Sequence, residues 1–161
     1  MTTTRHRLVW GSPGAPRALV IGGFAALVLA TLLAVVATNV LEPANPVRRV
    51  VYDVGFPFVL FYAPGLAAAL AAYLRCGAVT GLAVGLVPAA FFATVAIVGV
   101  GVGLPGVGGG DAPLWSITLA FATVSIVAAV VGFVAGTAVR VVVTAVRRRG
   151  GDETEVNREK E

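Results

Sequence analysis

ALVIGGFAALVLATLLAVVATNVL, residues 18–41, is a run of 24 residues without a charge, fenced by Arg17 and Glu42. Wound as a helix at about 1.5 Å per residue it is ~36 Å long, enough to cross a hydrocarbon core of about 30 Å. A secretory signal peptide is the competing reading, with Val35-Val36-Ala37 as its cleavage site. Signal peptides use only about 7–15 apolar residues, so the run reads better as an uncleaved transmembrane helix.

The rest of the chain repeats that pattern. Uncharged stretches predict further spans at about 56–74, 78–98 and 114–139, which gives an all-α integral membrane bundle of four transmembrane helices. Between Arg75 and Asp111 lie 35 residues without a charge. As one helix they would measure ~52 Å, and two crossings would need about 40 residues plus a turn. One crossing followed by a loop fits, and Gly99, Gly101, Gly103, Pro105, Gly106 and Gly108 to Gly110 supply a loop composition. The whole-chain figures agree. The 161 residues are 58% hydrophobic and 12% charged, with a mean hydropathy of +0.92. A soluble domain carries about 25% charged residues, and an apolar surplus of this size could not be buried in so small a core.

Residues 1–17 form a polar tail broken by Ser12-Pro13-Gly14 and Pro16, residues 18–146 the membrane domain, and residues 147–161 a basic cluster with an acidic tail. Before the second span, Asn45 suits a helix cap and Pro46 a first helical position. Val47, Val50, Val51 and Val54 then follow helical spacing, with Arg48, Arg49 and Asp53 off that stripe. Two readings stand open: a short amphipathic helix at the membrane surface, or a simple extension of the second span. The fourth helical pattern continues to Val146. Past Arg149, Gly150-Gly151 is expected to break the helix, and the tail that follows lacks apolar periodicity and is expected to be disordered.

The net charge is +4 with eleven arginines and one lysine, and the sequence pI is about 10.0. Arg17, Arg75, Arg140, Arg147, Arg148 and Arg149 flank apolar runs, where basic residues set topology and meet anionic headgroups of the lipid bilayer. No aromatic interleaving or nucleic-acid module accompanies them, so no nucleic-acid partner is expected. Eight arginines near the spans fall on the side of the N-terminus, against Arg48 and Arg49 on the other, which places both termini in the cytoplasm. The Arg, Ala, Val and Gly bias suggests a prokaryotic cell membrane.

Chemistry-bearing residues are sparse. Cys76 is the one cysteine and His6 the one histidine, which excludes an intrachain disulfide and leaves no converging zinc ligands. Gly101-Val102-Gly103-Leu104-Pro105-Gly106 matches GxGxxG literally but lacks the strand, helix and acidic residue that a dinucleotide site needs. None of the four predicted spans contains Asp, Glu, Lys, Arg or His, which disfavours proton-coupled pumps and exchangers. The hydroxyls of the spans have no base to activate them and are expected to bond to helix carbonyls. No catalytic residue, cofactor or metal is therefore expected.

Two kinds of feature remain. Gly77, Gly81 and Gly85 form overlapping GxxxG spacings that would let another helix approach closely. Ala128-Gly132-Gly136 and Gly22-Ala26-Ala30-Ala34 are similar, weaker stripes. Pro64 and Pro88 lie inside spans as kink positions, and Pro64 deprives the Leu60 carbonyl of its helical donor. Two functions fit. The first is a non-catalytic accessory or interaction subunit, with a membrane protein partner or a second copy. The alternative is a passive channel or carrier for a neutral or small solute, using carbonyls freed at the kinks.

Overall fold

The computed structural model describes His6 and residues 8–38, 41, 44–101 and 114–158. The described residues are helical throughout their main elements, with no strand among them. Four helices are long and apolar enough to cross a membrane. They are α1 (Arg17–Thr38), α2 (Pro46–Tyr73), α3 (Ala78–Gly101) and α4 (Leu114–Arg158). The expected GxGxxG loop lies outside the described residues, apart from Gly101 at the end of α3.

Asn45 caps α2 as its type suggests, its Oδ1 accepting from the Val47 N–H at 2.9 Å, with Pro46 in the first turn. Helical backbone then continues without a break to Tyr73. Two wide π turns, Val51–Gly55 and Phe58–Tyr62, interrupt its α-helical geometry. Each is followed closely by a proline, Pro57 and Pro64. A π turn shifts the bonding from i−4 to i−5, seen in Phe56 N–H to Val51 C=O and Ala63 N–H to Phe58 C=O. That shift lets the chain absorb a residue with no N–H and a ring that clashes with the preceding turn. The departure is visible at Tyr62, whose φ is −102° where α-helix averages about −63°.

Neighbouring contacts fix the direction of the helices. Gly65 and Ala69 of α2 meet Gly132 and Gly136 of α4 in the same order, so these two run parallel. Gly81 and Gly85 of α3 meet Phe133 and Ala129 in reverse order, so α3 and α4 are antiparallel. Up-down-up-down connectivity results. Val20, Phe24 and Val28 line the inner face of α1 at i, i+4 and i+8, and join Val59, Ala63, Ala71 and Val84 in the core. Phe61, Phe92 and Phe121 tie α2, α3 and α4 together, with ring centroids 6.0 and 5.0 Å apart. The outward faces are apolar instead of polar: Leu19 and Ile97 are each 74% exposed, and Leu33, Val131 and Val134 are exposed as well. Such a belt is stable against lipid and unfavourable against water.

One expectation fails at the C-terminus. Helix α4 runs on through Gly150-Gly151 to Arg158, where a break and a disordered tail were anticipated. Each glycine penalises a helix interior by only about 1 kcal/mol relative to alanine, and the stretch contains no proline, which is the stronger breaker.

Candidate functional site

At one end of the bundle three elements meet: the segment before α1, the α2–α3 turn, and the fourth helix around Arg140. The turn is built by hydrogen bonds from Arg75 N–H to Ala72 C=O (3.2 Å) and Cys76 N–H to Ala71 C=O (2.8 Å). This double closure is a Schellman motif, whose C′ residue takes a left-handed conformation. Arg75 occupies that position at φ 61° and is the one non-glycine residue with positive φ among the described residues.

A clasp from the N-terminal segment covers the turn. Ser12 N–H donates to Arg75 C=O at 2.9 Å, and the Arg17 Nη2 donates to Ser12 C=O at 3.2 Å. Gly11 and Gly77 face each other across it at φ 78° and 90°. A Cβ on either would fall on the other segment's backbone. Gly77 therefore serves a turn and a close crossing, and precedes α3 instead of joining a helix groove as its spacing suggested. The i, i+4 count presumes that a helix already exists at the first residue, and here it begins at Ala78. Cys76 is fully buried beneath the clasp. Burial pushes its thiol above the ordinary range, and nearby Arg17 opposes this more weakly.

Gly81 and Gly85 do lie on a helix-packing face, against α4. A Cβ on Gly81 would stand 3.1 Å from the Phe133 ring, and one on Gly85 2.9 Å from the Ala129 Cβ. The tightest crossing is a different one. A Cβ on Gly132 would fall on the Gly65 carbonyl, and one on Gly136 on the Ala69 carbonyl. A Cβ on Gly65 would in turn stand 3.1 Å from the Ala128 carbonyl oxygen. The Ala128-Gly132-Gly136 stripe, the weaker of the two by glycine count, makes the closest approach because α2 offers small residues opposite it. The first-span stripe contributes nothing comparable, since Gly22 has no atom within 4 Å of its would-be Cβ.

Pro64 and Pro88 are both fully buried, and α3 stays helical through Pro88. The Leu60 carbonyl that Pro64 leaves without a donor is satisfied from α4. Ser125 Oγ–H donates to it at 3.2 Å across 65 residues of sequence. Other hydroxyls bond locally, with Thr31, Thr80, Thr94, Thr123, Thr137 and Thr144 each donating to the carbonyl four residues earlier. Among the described residues no buried side-chain oxygen or nitrogen lacks a partner, and no cluster of three metal-ligating side chains occurs.

A polar concavity lies beside the turn. A cleft of about 400 Å³ is lined by Tyr73, Arg75, Arg140, Val143, Thr144 and Arg147. Arg140 is anchored there, its Nη1 donating to Ala72 C=O at 3.4 Å, at the negative end of the α2 dipole. Arg17 belongs to the clasp, and the side chains of Arg148 and Arg149 lie outside the described part of the chain. An apolar groove of about 660 Å³ lies near the other end of α3 and α4, lined in part by Ala93, Ala96, Ala122 and Trp115. Sequence reasoning missed Gly11, Gly65 and Ala69, whereas for Ser125 it expected a bond to a helix carbonyl or a neighbouring helix and did not name Leu60 as the partner. Only the small-xxx-small spacing of Gly65 and Ala69 offered a signal in advance.

Comparison with protein-family models, with curated proteins and with solved structures gives no match for this chain.

Proposed function

We propose that this chain is a small multi-pass protein of a prokaryotic cell membrane, both termini cytoplasmic, acting as a non-catalytic accessory or interaction subunit. The observation that carries the reading is how the spans use their polar groups. Their hydroxyls are turned onto backbone carbonyls of the bundle, with Ser125 on Leu60 as the long-range case. The hydroxyls of the spans are thus occupied on the helices' own backbone, and what faces outward is an apolar belt and a basic end. The cytoplasmic orientation follows from the arginines at that end, which favour the inner leaflet and its anionic headgroups.

The carrier reading needs carbonyls freed at Pro64 and Pro88 to line a passage. Occupation of the Leu60 carbonyl and burial of both prolines weigh against it. Mild cross-linking of the tagged full chain in native membranes, followed by purification in neutral detergent, tests the choice. The accessory reading expects a stoichiometric membrane protein or a second copy of the chain. Recovery as a lone monomer, together with solute flux in reconstituted liposomes, would overturn it.

A further inference from the structure

We propose that the cleft between the α2–α3 turn and α4 is a binding site for a single phosphate group, presented by an anionic lipid headgroup or as a free anion. The site rests on the membrane placement and is independent of the accessory role.

Three arginines, Arg75, Arg140 and Arg147, line one cleft. Among residues whose side chains are described the one carboxylate is Asp53, at the far end of α2, roughly 30 Å away by helical rise. Among the described side chains the positive charges are therefore gathered without a local counter-charge, an arrangement that favours an oxyanion. Arg140 and Arg147 are seven residues apart, so they stand on one face of α4 about 10 Å from each other along the axis. Thr144 lies between them, with Tyr73 on the facing wall.

The second observation is the backbone of Arg75. A left-handed C′ position is ordinarily glycine, and this chain uses glycine freely, including two residues later at Gly77 with φ 90°. At position 75 it holds a strained arginine instead. Such conformations gather at functional sites, where the side chain matters more than local stability. The Arg75 N–H is engaged in the turn and its carbonyl by Ser12 of the clasp, so the backbone from which the side chain springs is fixed.

Lipid retention by the full chain, measured by native mass spectrometry and by titration in phosphatidylcholine nanodiscs, tests the site. Phosphatidic acid should bind saturably, one per chain, in preference to phosphatidylcholine. Arg140→Gln and Arg75→Gly should each weaken that binding between about tenfold and a hundredfold, the worth of a charged hydrogen bond. Arg75→Gly also relieves the positive φ, so its thermal midpoint should hold or rise while binding falls, which separates loss of the ligand from loss of the fold. Arg49→Gln removes the same charge from an exposed position at the other end of α2, outside both the cleft and the clasp, and should change binding less than threefold. Displacement of the lipid by millimolar inorganic phosphate would identify a free anion as a ligand, and retention against it would identify the headgroup; both support the site. Equal losses from Arg49→Gln and Arg140→Gln, or no preference for phosphatidic acid, would overturn it. Partner capture in the cross-linking experiment is unaffected by either outcome.

Discussion

Gly132→Ala adds one methyl group at the place where the bundle has least room for it. The Cβ would fall on the carbonyl of Gly65, and a backbone carbonyl in a helix cannot rotate aside as a side chain can. Bringing that Cβ just out of forbidden overlap requires α2 and α4 to part by roughly 1 Å, a gap that forfeits a quarter to a half of each dispersion contact across the crossing. About twenty atom pairs at ~0.15 kcal/mol each would then lose roughly 1–1.5 kcal/mol. Strain from overpacking adds about 1–3 kcal/mol, and the better helix propensity of alanine returns about 1 kcal/mol. The net expectation is a destabilisation of about 1–3 kcal/mol. Gly22→Ala is the control, since its new Cβ meets nothing within 4 Å and only the propensity gain remains. Unfolding of the purified protein in mixed micelles of rising SDS fraction, followed by circular dichroism, measures both. Gly136→Ala should behave like Gly132→Ala, and the double variant should lose less than the two single losses added, because one parting of the helices accommodates both methyl groups. The close crossing of α2 and α4 is refuted if Gly132→Ala is as stable as Gly22→Ala, or if the two losses simply add.

Ser125→Ala should destabilise by about 1–2 kcal/mol by stranding the Leu60 carbonyl, and in a Pro64→Ala background, where a helical N–H is restored to that carbonyl, the same change should lose most of its effect; the SDS titration reads the coupling directly. Cys76 should resist maleimide in the folded protein on either side of the membrane and react on unfolding, because it is buried and its thiol is pushed up. The folded state disfavours the thiolate, so this group's contribution to stability is intact below the ordinary thiol value of 9.0 and declines as pH rises above it; the alkaline slope should vanish in Cys76→Ala. Orientation is better read from new cysteines at exposed positions in that background: Pro13→Cys should be shielded from an impermeant reagent on intact cells and Ala44→Cys labelled, and the reverse pattern would invert the topology.

The four spans were legible because lipid imposes a simple length and polarity rule on each helix separately, and every span could be read from its own residues. The interior was legible only where a single helix decided it. Loss of a donor at the Leu60 carbonyl follows from Pro64 alone, whereas the choice of Ser125 as its replacement depends on a crossing between segments 65 residues apart. The same distinction separates the small-residue stripes. Counting glycines along one helix favoured Gly77-Gly81-Gly85, but close approach is a property of two surfaces, and Gly132 with Gly136 meets Gly65 and Ala69 where Gly81 meets the ring of Phe133. The cleft divides likewise. That Arg75, Arg140 and Arg147 sit near span ends was plain from their positions, and their gathering into one concavity needed the parallel pairing of α2 with α4. That pairing also brings Arg140 onto the carbonyl end of α2, so the small residues that let the helices touch and the cationic cleft beyond them are consequences of one crossing. A substitution that parts α2 from α4 at Gly132 should therefore reach the cleft as well, loosening the Arg140 contact with Ala72 and weakening phosphatidic acid retention several-fold without touching a lining residue.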